Sequence, residues 1–247
     1  MKAVITAAGL GTRSGLNGTF RKELLPLYEV REGKLVLRPV LDIVAFRLMN
    51  FGVREVAIVL DPEDSVTISY VEKACPFCRI IYQRERKGFG DAVLQAREFV
   101  GKDSFILAAG DAVIMDFSVI EDRLRASIAE DRGSIFVMRV KNASRYGVAI
   151  LDASDPPRVR GAVEKPVDPP SNYAICAFYL LPSRIFEFIG RTGGKEMTDA
   201  INLAAREGVE FIALEISRRN WISVGVAGEY LDALKTSYLF AVGKRKD

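Results

Sequence analysis

Seven residues, Ala7-Ala8-Gly9-Leu10-Gly11-Thr12-Arg13, follow a short apolar stretch at Lys2 to Thr6 and have the make-up of a phosphate-binding loop. Glycines let backbone amides approach a phosphate or a planar base, and Arg13 can neutralise phosphate charge. Such a loop alone fits several nucleotide-binding folds. A dinucleotide fingerprint is disfavoured: the loop runs on through Ser14-Gly15-Leu16-Asn17-Gly18 without opening a helix, and no acidic residue closes the second strand in the required context before Asp61. A Walker lysine is missing as well. The chain has no histidine, which removes the commonest general base and every histidine-dependent triad. A phosphate monoester nucleophile suits that limit, because its second pKa of about 6 leaves it largely ionised at neutral pH. Cys75-Pro76-Phe77-Cys78 has the spacing of a redox or metal half-site, but one further cysteine and no histidine complete no four-ligand set. Two ordinary thiols are expected there, with a local disulfide as the alternative.

Nine residues beyond Arg13 stands Lys22-Glu23-Leu24-Leu25-Pro26-Leu27. Together the two segments resemble the G-x-G-T-R and K-x-L-L-P signature of the glucose-1-phosphate uridylyltransferases and thymidylyltransferases. The likeness continues through Gln83, Lys87-Gly88-Phe89-Gly90-Asp91-Ala92, Gly110-Asp111, Tyr146-Gly147-Val148, Val163-Glu164-Lys165-Pro166, Ser171-Asn172-Tyr173-Ala174 and Met197-Thr198-Asp199-Ala200-Ile201. It spans nearly the whole chain.

The resemblance implies a set of roles. Ala8, Gly9, Gly11 and Thr12 would grip base and triphosphate through the backbone, and Arg13 and Lys22 would be the catalytic cations at the α-phosphorus. Gln83 would read the base, its amide offering both a donor and an acceptor, with the Gly88 backbone beside it. Glu164 would accept sugar hydroxyls and Lys165 would hold the sugar phosphate, with Gly147 and Asn172 as further sugar contacts. Asp111 would bind Mg2+, a hard cation suited to carboxylate and phosphate oxygens. The implied partners are a nucleoside triphosphate, UTP or dTTP, and a sugar 1-phosphate. Gln83 reads an edge that uracil and thymine share, so the two triphosphates stay equal.

Two positions depart from that pattern. Relatives place a second metal aspartate in a W-x-D-x-G segment, where this chain has Trp221-Ile222-Ser223-Val224-Gly225. Ser223 offers a neutral, weaker ligand. This leaves three readings: an active transferase with a looser or differently coordinated metal, an enzyme with another preferred substrate, and a nucleotide- or nucleotide-sugar-binding regulatory homologue with weak or no turnover. Relatives often carry glycine at the position of Ala177, whose methyl would narrow the expected sugar pocket.

These residues need a scaffold, and the pattern supplies an α/β one. Lys2 to Thr6 reads as a buried strand of a parallel sheet; Pro39 opens a helix over Val40 to Met49, and Gly52 is placed to cap it. Strands at 54–60, 79–82 and 104–109 alternate with helices at 65–74, 90–100 and 120–130, a βαβ series. After Gly133 extended segments crowd together at 135–140, 148–151, 159–163 and 173–181, followed by helices at 183–189, 197–206 and 229–241 around a strand at 210–216. With the family resemblance, this implies a Rossmann-like nucleotidyltransferase fold: a mixed, mostly parallel sheet flanked by helices, with antiparallel additions in the second half.

The chain of 247 residues, 49% apolar, is expected to form one domain, with a nucleotide-binding half at about 1–132 and a sugar-phosphate half at about 133–247. Its 35 basic and 32 acidic residues balance, so neither nucleic acid nor an anionic membrane is called for. The opening residues are too short for a secretory signal, no apolar run spans a bilayer, and cytoplasmic residence is expected. The acyltransferase extension that some relatives carry is not expected. Homo-oligomerisation stays open, and the basic tail Gly243-Lys-Arg-Lys-Asp247 needs no role beyond solvation.

Overall fold

The computed structural model describes residues 1–16, 18 and 20–243; the Arg13 side chain and the tail residues 244–247 lie outside that description. The first strand, β1 (Lys2–Thr6), is buried and runs straight into the glycine loop. A hairpin follows, β2 (Pro26–Arg31) and β3 (Lys34–Pro39), closed by Glu32 and Gly33, both at positive φ. Two such residues match the twist of a tight hairpin turn. Pro39 then caps α1 (Val40–Asn50), and Gly52 leaves it at φ +100°. The series continues with β4 (Glu55–Leu60), α2 (Ser65–Ala74) and β5 (Cys78–Tyr82). The Asp64 side chain caps α2 by accepting from the Thr67 N–H at 3.1 Å.

The helix expected over 90–100 is two pieces, α3 (Phe89–Leu94) and α4 (Arg97–Val100), separated by a tighter turn in which the Ala96 N–H bonds the Val93 carbonyl. Then come β6 (Phe105–Ala109), β7 (Ala112–Ile114), α5 (Glu121–Ala129), β8 (Gly133–Arg139), β9 (Gly147–Leu151), β10 (Val159–Glu164) and β11 (Tyr173–Leu181). The chain finishes with α6 (Ile185–Arg191), α7 (Met197–Arg206), β12 (Phe211–Glu215), β13 (Trp221–Ser223) and α8 (Tyr230–Gly243).

Among the described residues nine strands join one sheet. β1 pairs in parallel with β4 and β6, and β4 with β5. β11 is antiparallel to β6 and β8, and β8 is parallel to β12. The antiparallel β9–β10 hairpin attaches at Val148 to the first half of β11. The sheet is therefore mixed and mostly parallel, with antiparallel additions in the second half.

Strand residues alternate between two cores, as the pleat requires. Ala3, Ile5, Ile58, Ile106 and Ala108 face one core together with Leu41 of α1, Val71 of α2 and Leu124 of α5. Val4, Ala57, Val59, Phe105 and Leu107 face the other, with Ala92 of α3, Ile185 of α6 and Ala200 of α7. Because both faces are covered, the parallel strands read as continuous apolar runs. No helix among the described residues is long and apolar enough to cross a membrane.

Candidate active site

The parallel strands share a carboxyl edge, where ligands of open α/β sheets bind. From β1 the chain enters the glycine loop, from β4 it reaches Asp61, from β5 Gln83, and from β6 Gly110 and Asp111. A cleft of about 1090 Å³ opens there and extends across to β10, β11 and α8. Nine of the expected residues line it: Ala8, Gly9, Lys22, Gln83, Gly88, Asp111, Gly147, Glu164 and Lys165.

Three expected residues stand off that wall. Gly11 adopts φ +65° at the start of a short 3-10 turn over Thr12–Ser14, with Thr12 exposed. A Cβ at Gly11 would lie 3.2 Å from the Lys22 stem, so this position makes room for the lysine. Asn172 is exposed at the foot of β11, its carbonyl accepting the Val140 N–H at 3.0 Å. The backbone of Arg13 forms part of the 3-10 turn, while its side chain lies outside the described residues.

One end of the cleft is cross-linked by buried groups. Arg21, 6% exposed, donates to Asp61 Oδ2 at 2.8 Å, to Asp64 Oδ2 at 3.1 Å and to the Gly9 carbonyl at 3.2 Å. One side chain thus ties the glycine loop to the end of β4 and the cap of α2. Arg86 bonds the same Asp61 oxygen. Burial works to raise the Asp61 carboxyl, but the Arg86 hydrogen bond, the Glu63 backbone N–H and the Arg21 charge hold it below its ordinary range.

Gln83 is 4% exposed and donates through Nε2 to Asp91 Oδ2 at 2.7 Å and to the Gly88 carbonyl at 3.1 Å. The expectation that its amide offers both donor and acceptor to a base is corrected here. Its donor end is bound within the protein, and only its oxygen remains for a ligand. Gly88 itself sits at φ +139°, and a Cβ there would collide with the Lys195 backbone. Only glycine fits that approach.

At the middle of the cleft Lys22 Nζ is paired with Asp111 Oδ2 and lies 3.7 Å from Glu23 Oε1. Glu23 is 2% exposed, and its Oε2 is buried without a hydrogen-bond partner. Burial, with the Asp111 charge adding to it and Lys22 opposing, pushes the Glu23 carboxyl up to about 7. Ser223 faces this point from β13, which pairs with β7. A Cβ on Gly225 would lie 2.8 Å from Asp111 Oδ2 and 3.4 Å from Ser223 Oγ, so carboxylate and hydroxyl border one position. The Ser223 hydroxyl accepts the Gly225 N–H at 3.2 Å.

The far end is looser. Lys165 Nζ pairs with Glu164 Oε1 at 2.5 Å, and Glu164 Oε2 would lie 3.1 Å from a Cβ on Gly147. Lys165 and Ala177 both hold positive φ, +40° and +47°, backbone that ordinary residues adopt at a cost of about 1–3 kcal/mol. Ala177 lies where the register of β11 against β8 slips, between Ile175 and Tyr179. Thr198 Oγ1 is a second buried cleft atom without a partner. Burial and the neighbouring Glu164 charge raise the Glu196 carboxyl, with Lys165 opposing.

Sequence reasoning did not single out Arg21, Glu23, Asp91 or Glu196. Glu23 and Asp91 lie inside recognised motifs, and Arg21 immediately precedes one. The thiols of Cys75 and Cys78 are free, one buried and one partly so.

The chain is thus an α/β protein whose carboxyl-edge cleft carries a glycine loop, the Gln83 amide at one end and the Glu164–Lys165 ion pair at the other. A model of the nucleotidyl transferase family matches residues 2–238, and the chain belongs to that family. It is 30% identical to a Methanocaldococcus jannaschii protein provisionally named a UTP–glucose-1-phosphate uridylyltransferase, over 94% of this chain and 91% of that one. It is 27% identical to the glucose-1-phosphate thymidylyltransferase of Neisseria meningitidis, over 76% of this chain and 64% of that one. The fold is shared with a UTP-bound UGPase of Acinetobacter baumannii, at TM-score 0.79 and 22% identity, over 99% of this chain and 97% of that one.

Proposed function

We propose that the chain transfers a nucleoside monophosphate from UTP or dTTP to a sugar 1-phosphate, glucose 1-phosphate first among candidates, giving a nucleotide sugar and pyrophosphate. One observation carries this reading: a single cleft joins Gln83 and Gly88 at one end to Glu164 and Lys165 at the other, with Lys22 and Asp111 between. The named relatives make uridylyl and thymidylyl transfer the natural class.

In this reading Ala8, Gly9, Gly11 and Thr12 meet the triphosphate through the backbone, and Gln83 and Gly88 meet the base. Glu164, Gly147 and Asn172 contact the sugar, and Lys165 its phosphate. A sugar-phosphate oxygen forms a new bond to the α-phosphorus while the bond to the β-phosphate oxygen breaks and pyrophosphate departs. No protein base is needed, because the phosphate nucleophile is already ionised. Arg13 and Lys22 neutralise the charge that develops, and most of the acceleration comes from positioning and electrostatics.

The donor set fits Mg2+. Asp111 supplies a carboxylate and Ser223 a hydroxyl at one position, and Mg2+ commonly uses one or two carboxylates with substrate phosphates and water. Bound there, it would neutralise phosphate oxygens. A division into nucleotide and sugar-phosphate halves of one domain, and a cytoplasmic location where both substrates are made, belong to the same proposal.

The test is formation of a nucleotide sugar, followed by mass, from UTP or dTTP with a panel of sugar 1-phosphates and Mg2+. Product with at least one pair is expected; none with any pair would sink the proposal. The replacement at Ser223 favours a second reading, a nucleotide-binding regulatory homologue, which predicts thermal stabilisation by UTP with no product.

A further inference from the structure

The donor end of the Gln83 amide is held by two acceptors, Asp91 Oδ2 at 2.7 Å and the Gly88 carbonyl at 3.1 Å. A carboxylate and a carbonyl accept and do not donate. Turning the amide end for end would set its oxygen against both, leaving buried groups unpaired. Gln83 and Asp91 are 4% and 9% exposed, so water does not relieve that mismatch. Asp91 is itself fixed in the first turn of α3: its N–H bonds the Gly194 carbonyl at 2.7 Å, and its other oxygen accepts from Gln95 Nε2 at 3.3 Å. Among the described residues no donor reaches Gln83 Oε1, and Gln83 lines the cleft.

We propose that Asp91 is a positioning residue which fixes the Gln83 amide oxygen toward the base and thereby restricts the cleft to bases carrying an N–H at N3, uracil and thymine, against cytosine. The inference rests on the proposed role of Gln83 in reading the base. Uracil and thymine bring a donor to the waiting oxygen. Cytosine has a lone pair at N3, so oxygen would face nitrogen with no proton between them. A site built around one polar contact rejects a ligand that cannot make it far more strongly than an apolar pocket rejects an extra methyl group.

Asp91→Leu removes the acceptor, whereas Asp91→Asn keeps one in its amide oxygen and serves as the conservative rescue. The measurement is kcat/KM for UTP and for CTP, with glucose 1-phosphate or whichever sugar phosphate proves active, in wild type, both Asp91 variants, Gln83→Ala and Gln83→Ala/Asp91→Leu. The UTP-to-CTP ratio is expected to fall at least tenfold in Asp91→Leu, to stay within about threefold of wild type in Asp91→Asn, and to be indifferent to Asp91→Leu once Gln83 is alanine.

An unchanged ratio in Asp91→Leu overturns the inference. So does an equal fall with and without Gln83, which would mean that Asp91 acts through general structure. Should Asp91→Leu fail to fold by thermal unfolding, Asp91→Ala takes its place in the same cycle. If wild type uses UTP and CTP alike, the base reading itself fails and the inference fails with it; a wild-type preference untouched by Asp91 overturns the inference alone.

Discussion

The two ends of the cleft are built by different means. At the end proposed for the nucleotide, polar groups are buried and cross-linked: the Arg21 side chain is 7% exposed and bonds three separate segments, and Gln83 is held by Gly88 and Asp91. At the end proposed for the sugar phosphate the Lys165 side chain is 46% exposed, two residues hold left-handed backbone, and the Thr198 hydroxyl is unpartnered. Buried charge pairs are costly to break because the survivor is stranded, whereas exposed pairs hold little. On the proposed reading, the nucleotide end is therefore preorganised for one kind of ligand, and the sugar end can be retuned at little cost to the fold. Both departures from the family pattern, Ser223 and Ala177, fall outside the cross-linked end.

That contrast breaks most sharply at Lys22, which stands where the two ends meet. Lys22→Met is expected to lower kcat about 10²- to 10³-fold, the usual cost of removing a group that stabilises transition-state charge, with the KM for triphosphate changed far less. Steady-state kinetics decide this, and a loss confined to KM would mean that Lys22 only binds. Ser223→Asp comes next. A second carboxylate beside Asp111 should lower the Mg2+ concentration for half-maximal rate roughly tenfold, because affinity follows ligand charge. No change would mean that the metal does not use this face.

The smallest effect concerns Glu23. Its folded carboxyl is raised above the ordinary 4.5, to about 7, so its contribution to stability is full below pH 4.5 and is lost as pH rises through 7. Denaturant unfolding between pH 4 and 8 should show that decline in wild type, on the order of 1–3 kcal/mol, and Glu23→Gln should remove it. A decline that persists in the variant would assign it to other groups.

Much of this was legible in the chain itself. α2, α7 and β11 begin and end at the residues where the pattern put them, and α2 also opens at the capping side chain of Asp64. The β2–β3 hairpin escaped notice, because its signal is a Glu-Gly turn without the usual asparagine or aspartate. β7 and β13 are three residues each and paired across more than a hundred residues, too short to carry a period. In the site, motif order pointed to Gln83, Asp111, Glu164 and Lys165. That Gln83 has already committed its donor, that Arg21 binds three segments and that Glu23 is buried beside Lys22 are facts of packing, which no spacing along the chain encodes.

The most direct measurement of the central claim is pyrophosphate release from UTP with Mg2+, in the presence and absence of glucose 1-phosphate and of other sugar 1-phosphates. Release is expected only when a sugar 1-phosphate is present, and equally from dTTP to within about tenfold. Release from UTP alone at the same rate, or none with any sugar phosphate tried, would contradict it.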